Sequence, residues 1–407
     1  MPAPHASDRR GDLGFALLVA VGLSALGIVS HGGLPNLRAT TLETYKSDSS
    51  IYLSMVAHRW VDQPDSPIDP WSLYNVQTPF RYRILVPWLA RQLPFGPVFS
   101  LALVHYLSLV GAYVYLILTC RRLGIPRLPS AIGLSVAFTF VSHLSIYSLP
   151  WLTDGFILLV LSAMTHAFVV DSFWLFAAWG LVGIFAREVP AVLLPVWCIR
   201  NFRRGVIVTA LALLATGIER VVLAEPSNAP LHVWLISAMR ETLVVGPAGA
   251  SFWPPRLAPN LLVHIAYCWG WAYTILPLGL FLLPREAWSR FIPIAAALLA
   301  SAFGMSLVAT DTSREFMVLL PVVVIAIAQL VSALARESRV IWLTILLGLA
   351  VLQFCLSEQD IILNAETWAA VTARVPLIKI GAVWTIGAAI LLRAELTRRA
   401  RSLMSPM

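Results

Sequence analysis

Long apolar runs alternate with short polar connections along most of the chain. A helix needs about 20 predominantly apolar residues to cross roughly 30 Å of hydrocarbon. The first run follows Arg9 and Arg10 and has no small-residue cleavage site at its end, so we expect a retained helix there. Runs of this kind predict membrane-spanning helices at residues 13–30, 97–119, 130–149, 152–170, 205–223, 259–283, 291–309, 315–334, 339–356 and 376–393.

Two shorter apolar pieces lie between Asp171 and Arg200, at residues 173–186 and 189–199. Each is too short to cross a bilayer comfortably alone, so the pattern predicts a hairpin or a pair of short, tilted helices. Counting them as two gives about twelve transmembrane segments. The sequence therefore predicts an all-α polytopic membrane protein, with residues 1–407 forming a single integral membrane domain.

The composition agrees with this class, because 58% of the residues are apolar and only 12% are charged. Soluble domains carry about 25% charged residues, so a soluble globular protein is excluded. The four cysteines lie far apart with no CxxC pair and no grouped histidines, which argues against a disulfide framework or a zinc site. The basic residues form short clusters between apolar runs, so orientation in a bilayer explains the net charge of +8 better than nucleic-acid binding.

Charge is distributed unequally between the two sides of the predicted topology. One side carries sixteen arginines and only six acidic residues, a balance of +10, and is cytoplasmic by the positive-inside rule. We therefore expect an inner (plasma) membrane protein with both termini in the cytoplasm. The long loops at 31–96, 224–258 and 357–375 then face outward, and no internal repeat of the transporter kind is visible, which favours an enzyme with an outward-facing active site.

The first outer loop contains a segment, residues 47–60, whose apolar positions recur at helical spacing. Ser47 or Asp48 would cap its start, and the pattern predicts an amphipathic helix in the membrane interface. Asp48 would then lie at the membrane surface as a candidate catalytic carboxylate, with Tyr52 one turn further on. The alternative is that Asp48 is only the helix cap.

The same loop ends in a second amphipathic segment, residues 78–91. Arg81 and Arg83 flank Tyr82 just before it, so two guanidinium groups are expected near headgroup level. Arginine forks match phosphate oxygens. Interfacial arginines that merely snorkel to the headgroups are the alternative explanation.

Further ionisable residues are predicted at the outer rim. Arg187 and Glu188 lie between the two short apolar pieces, where charge is costly and is a functional candidate, although neutralisation of one by the other would also explain them. Asp154 begins one span, and Asp311 and Arg314 lie next to the outer end of another. All of these predicted residues fall on one face of the bilayer.

These features resemble the GT-C class of membrane glycosyltransferases, which take sugars from polyprenyl-phosphate carriers on the outer or lumenal side. The resemblance rests on Asp48 with Tyr52 in the first outer loop, on PFRYRILVPWL at 79–89, on AREVP at 186–190, and on Asp311 with Arg314. It implies a GT-C-like fold, a polyprenyl-phosphate-linked sugar donor, and a glycan, lipid or protein acceptor. The first loop lacks the acidic pair of several subfamilies, and we expect no large outer domain after the last span.

The chemistry fits these residues. Inverting transfer from a phosphate-linked sugar needs a carboxylate to take the acceptor proton and cations to hold the departing phosphate. Asp48 would be the general base, and the candidate phosphate clamp consists of Arg81, Arg83, Arg187 and Arg314. No cofactor is required by this scheme, and a divalent metal stays an open alternative.

Three other function classes remain open from the sequence. The first is a flippase or transporter of lipids or polyprenyl carriers, although the charges gather near one rim and not at mid-bilayer. The second is another membrane transferase for acyl or phosphoryl groups, which is disfavoured because the histidines are scattered along the chain. The third is a non-catalytic assembly subunit.

Overall fold

The computed structural model of the chain describes residues 6–30, 52–53, 55–56, 83–140, 146–147, 150–222, 272–306 and 316–334. Regular structure in these ranges is entirely helical, as the apolar pattern predicts. The α-helices are α1 Ala6–Ser30, α2 Leu85–Arg91, α3 Pro97–Arg122, α4 Arg127–Phe138, α5 Asp154–Val169, α6 Phe173–Ile184, α7 Val189–Leu193, α8 Phe202–Val222, α9 Ala272–Phe281, α10 Arg285–Ser306 and α11 Leu320–Leu334. One 3₁₀ helix, Leu194–Ile199, follows α7, and another, Phe316–Leu319, precedes α11.

Within the described residues, three stretches are long and apolar enough to cross a membrane, namely Arg10–Ser30, Pro97–Arg122 and Arg285–Gly304. Around them lie shorter apolar helices, including α4, α5 and α6. These lengths and compositions are those of a membrane protein. The predicted spans 339–356 and 376–393 and the outer loops at 224–258 and 357–375 lie outside the described residues.

The helix bounds differ from the predicted spans in several places. Helix α1 begins at Ala6, before the start of the span predicted at 13–30. The span predicted at 130–149 ends at Phe138, because Thr139 closes the last turn with its backbone N–H and its hydroxyl, both of which donate to the carbonyl of Val136. The span predicted at 291–309 begins earlier, at Arg285. Its first turn contains Glu286, whose negative charge suits the positive end of the helix dipole.

Helix α11 lies at the centre of the described bundle. Its residues from Leu320 to Ala328 are all buried, as expected for a helix that is apolar on every side. Helices α4 and α9 pack against it. Their glycines, Gly133 and Gly279, lie where an added Cβ would collide with α11 backbone, so small residues let these helices approach closely.

Helices α3 and α5 run parallel, side by side. Near the start of α3, His105 contacts the Leu152 carbonyl just before α5, and near its end Thr119 contacts His166 of α5 at 3.2 Å. Helix α1 also packs on α3, and Asp12 near its start accepts hydrogen bonds from Arg121 and Arg127. Asp12, Arg121 and Arg127 belong to the sixteen arginines and six acidic residues that the charge balance predicts on the cytoplasmic side. The structure brings these three together at one end of the bundle.

Candidate functional site

Two buried side chains of opposite charge meet at the other end of the bundle. Nη1 of Arg187 donates to Oδ1 of Asp154 at 2.8 Å, and the two side chains are only 3% and 2% exposed. Burying an unpaired charge is costly, so the contact accounts for the presence of both residues in an apolar interior. The sequence predicts each residue at the outer rim but does not predict that they pair.

Asp154 is positioned by the close contact between α3 and α5. It is the first residue of α5, and the next residue, Gly155, packs against the backbone of α3. A Cβ at Gly155 would lie 2.8 Å from the carbonyl oxygen of His105. His105 is eight residues, or about 12 Å, along α3 from its first residue, so the carboxylate of Asp154 lies well below the end of that helix.

Arg187 is positioned by the break between α6 and α7. Helix α6 ends at Ile184, and the backbone N–H of Arg187 donates to the carbonyl of Gly183 in a closing turn. A side chain at Gly183 would collide with Val160 of α5 and with Pro190 of α7. The glycine therefore lets the break lie directly on α5, where Arg187 reaches Asp154.

Arg83 joins the first outer loop to the same break. Its Nη2 donates to Oε2 of Glu188 at 3.4 Å, and its Nη1 donates to the hydroxyl of Tyr52 at 3.3 Å. A backbone hydrogen bond from Leu85 to the Phe185 carbonyl, 3.0 Å long, holds the two segments together. Because the Glu188 side chain is 38% exposed, this ion pair is more open to its surroundings than the pair beneath it.

Together these five residues, Tyr52, Arg83, Asp154, Arg187 and Glu188, form what we call the charged cluster. The alternative explanation for Arg187 and Glu188 was that they neutralise each other. In the structure each has an ion-pair partner on another segment. The segment predicted at 47–60 is helical at its described residues 52–53 and 55–56. Their side chains are buried in the protein core, whereas the sequence predicts a helix lying in the membrane interface.

The other predicted site residues lie outside the described residues: Asp48, Arg81, Tyr82, Asp311 and Arg314. Arg314 precedes by two residues the 3₁₀ helix Phe316–Leu319, which contacts α5. In the described part of the chain, no group of three or more His, Cys, Asp or Glu side chains is placed to hold a metal ion.

His105 and Tyr106 are polar residues near the charged cluster that the sequence does not single out. His105 is 1% exposed, and its Nδ1 lies 3.3 Å from the Leu152 carbonyl. The ring of Tyr106 stacks on that of Tyr147, whose hydroxyl lies 2.6 Å from that of Tyr113. The sequence feature that could have pointed to them is the occurrence of two polar residues, His105 and Tyr106, within an otherwise apolar span.

The charged cluster contains arginine, the residue type best suited to binding an anion such as phosphate. It brings together a largely buried guanidinium, a partly exposed carboxylate and a buried phenol at one end of an apolar bundle. Arginine is suited to bidentate contacts with phosphate. No protein-family model, no curated protein and no solved structure matches this chain.

Proposed function

We propose that this protein is an integral membrane glycosyltransferase of the GT-C type, with about twelve transmembrane segments and an outward-facing site. In this proposal it moves a sugar from a polyprenyl-phosphate-linked donor to a glycan, lipid or protein acceptor with inversion at the anomeric carbon. The charged cluster and Asp48 form the site.

The observation that carries the proposal is the position of Arg83. It joins Tyr52 of the first outer loop to Glu188 of the α6–α7 break, and Glu188 directly follows the buried residue Arg187. Three segments with candidate residues therefore meet at one end of the bundle. Convergence of this kind supports a site better than any of the motifs alone.

The phosphate of the donor is bound by arginine in this scheme. Arg83 and the neighbouring Arg81 would contact its oxygens directly, with Tyr82 between them and Arg314 approaching from the segment before α11. Cationic donors aimed at the phosphate stabilise the charge that develops as it leaves. The isoprenoid tail of the donor would remain in the bilayer beside the apolar helices.

Asp48 would remove the proton from the acceptor hydroxyl. The acceptor oxygen then forms a bond to the anomeric carbon as the bond from that carbon to the phosphate oxygen breaks, and the phosphate leaves with the electron pair. General-base catalysis of this kind contributes about 10² to 10⁴ in rate. Asp311 would complete the set of outer carboxylates as a substrate-binding residue.

Arg187 and Asp154 have a positioning role in the proposal. Their side chains are almost wholly buried, and their ion pair fixes the α6–α7 break to the start of α5. The pair thereby sets the position of Glu188 and, through Glu188, the orientation of the Arg83 guanidinium. Side chains held in this way lose less entropy when a ligand binds.

The proposal is tested by incubating the purified protein, in nanodiscs, with a panel of polyprenyl-phosphate sugars and following sugar release or transfer. We expect turnover with at least one donor and loss of turnover in Asp48→Asn. A flippase would move the labelled carrier across a sealed liposome without cleaving the sugar. Carrier movement with no cleavage of any donor would replace the proposal with transport.

A further inference from the structure

A second group of arginines lies at the end of the bundle opposite the charged cluster. It consists of Arg200, Arg203, Arg204, Arg285 and Arg290, and we call it the basic end. Helix α5 separates the two sites, since Asp154 begins it and Phe168, which contacts Arg200, lies about 21 Å further along. A hydrogen bond from Arg200 to the Arg290 carbonyl, 3.4 Å long, brings the start of α8 next to α10.

Two guanidinium groups of the basic end are held on aromatic rings. The guanidinium carbon of Arg200 lies 4.8 Å from the ring centroid of Phe168, and that of Arg204 lies 5.4 Å from the ring centroid of Phe173. Both rings contact Trp197. Phe168 and Trp197 are buried, and Phe173 is partly buried. A cation–π contact of this kind holds the guanidinium over the ring, and the N–H groups that make no other hydrogen bond stay available to an anion.

The arginines of the basic end form no ion pair within the described part of the chain. The Nε of Arg200, although buried, has no hydrogen-bond partner there. Asn201 caps α8 by accepting a hydrogen bond from the backbone N–H of Arg204 at 3.1 Å, which fixes the start of that helix. Two acidic residues, Asp171 and Glu286, occur in the adjoining segments, so the local charge is strongly positive.

Large apolar side chains are exposed around these arginines. Ile199 is 67% exposed, Phe202 is 72% exposed and Trp174 is 80% exposed. Tryptophan is enriched where a membrane protein meets the headgroup layer, and apolar side chains below that layer contact acyl chains. Fixed cations above an apolar surface match the shape and charge of an anionic phospholipid.

We propose that the basic end binds one anionic phospholipid of the adjoining leaflet through Arg200 and Arg204. The guanidinium edges would donate to its phosphate, and Ile199 and Phe202 would contact its acyl chains. This lipid site is separate from the sugar-transfer site and does not depend on the activity proposed for the charged cluster. Basic pockets between transmembrane helices bind anionic headgroups in the same way.

The test titrates the full chain with phosphatidylglycerol and, separately, with phosphatidylcholine. Native mass spectrometry measures how many lipid molecules bind and how tightly. We expect saturable binding of one phosphatidylglycerol that phosphatidylcholine does not displace. The double variant Arg200→Gln, Arg204→Gln should raise the Kd for phosphatidylglycerol about 30-fold, from the usual contribution of two surface arginines. The matched control is Arg10→Gln, Arg122→Gln, which removes the same charge from two exposed arginines of α1 and α3 and should change the Kd less than about twofold.

Equal weakening by the two double variants would overturn the proposal, because binding would then reflect overall charge. Equal affinity for phosphatidylcholine, or competition by soluble glycerol phosphate, would overturn it as well. If the glutamine double variant does not fold, Arg200→Lys, Arg204→Lys provides the test, since it keeps the charge and loses the planar fork. Unchanged affinity in that variant would contradict the stacked-arginine site.

Discussion

Arg187 and Asp154 form an ion pair, with a 2.8 Å separation between Nη1 and Oδ1, inside an apolar helical bundle. The two residues are 33 positions apart in the chain, one in the break between two short helices and the other at the start of a third. The contact ties these elements together just below the partly exposed pair of Arg83 and Glu188. The arrangement of the charged cluster depends on this ion pair.

Removing one partner of the buried pair should destabilise the protein strongly. Asp154→Asn or Arg187→Gln leaves a buried charge without its partner, and we expect a loss of about 3–5 kcal/mol in the free energy of unfolding. Asp154→Leu combined with Arg187→Met removes both charges and should cost clearly less than the sum of the single changes Asp154→Leu and Arg187→Met. Denaturant unfolding in detergent measures these values, and strict additivity would contradict the pairing.

Because α3 and α5 lie so close together at Gly155, a single methyl group added there should lower the free energy of unfolding. Gly155→Ala places a Cβ against the backbone carbonyl of His105, which cannot move aside without shifting α3, so we expect a loss of about 1–3 kcal/mol. Gly217→Ala is the matched control, because that helical glycine is exposed and has open space around it. The control should be neutral or stabilising by up to about 1 kcal/mol. Equal unfolding free energies for the two variants would contradict the packing of Gly155.

The pattern of the chain predicts the helices well but not the contacts between their charged residues. Apolar runs locate α3, α5, α6 and α8 to within about three residues, because burial in lipid or protein demands a continuous apolar surface. The end of α4 at Phe138 depends on a local cap by Thr139 within an otherwise apolar run, which hydropathy does not detect.

The pairing of the site residues could not be predicted for a different reason. Adjacency in sequence suggests a contact between Arg187 and Glu188, whereas packing of distant helices decides the actual partners, Asp154 and Arg83. The sequence does predict that Tyr52, Arg83 and Glu188 lie at the same side of the membrane. Tyr52 and Arg83 fall in the first outer loop, and Glu188 falls at the outer rim between the two short apolar pieces. His105 went unrecognised because a single histidine in an apolar span carries no motif.

The charge distribution predicts the orientation of the protein in the membrane. Single cysteines introduced near residues 65, 240 and 365 should react with an impermeant reagent added from outside. Those near 124, 202, 287 and 337 should react only from the cytoplasmic side, because basic connections are retained there. Reaction of position 65 from the cytoplasm would contradict the outward-facing site.

Asp48 provides a test of the proposed general base. Asp48→Asn should lower sugar transfer by about 10² to 10⁴ while the thermal unfolding temperature stays close to that of the unchanged protein, because the amide keeps the size and capping ability of the side chain. Donor turnover and thermal unfolding are measured on the same preparation. Near-normal turnover would mean that Asp48 serves only as a helix cap.

Phosphate binding by the charged cluster is tested most directly by comparing two conservative changes within one segment. Arg83→Lys keeps the positive charge but cannot reproduce the planar fork that reaches Tyr52 and Glu188 and that we propose binds the donor phosphate. Arg91→Lys makes the same change at the exposed end of α2. The assay uses a polyprenyl-phosphate sugar that the unchanged protein turns over. We expect Arg83→Lys to lose about as much activity as Arg83→Ala. Arg91→Lys should keep nearly all of the activity. Full turnover by Arg83→Lys would contradict phosphate binding by the charged cluster.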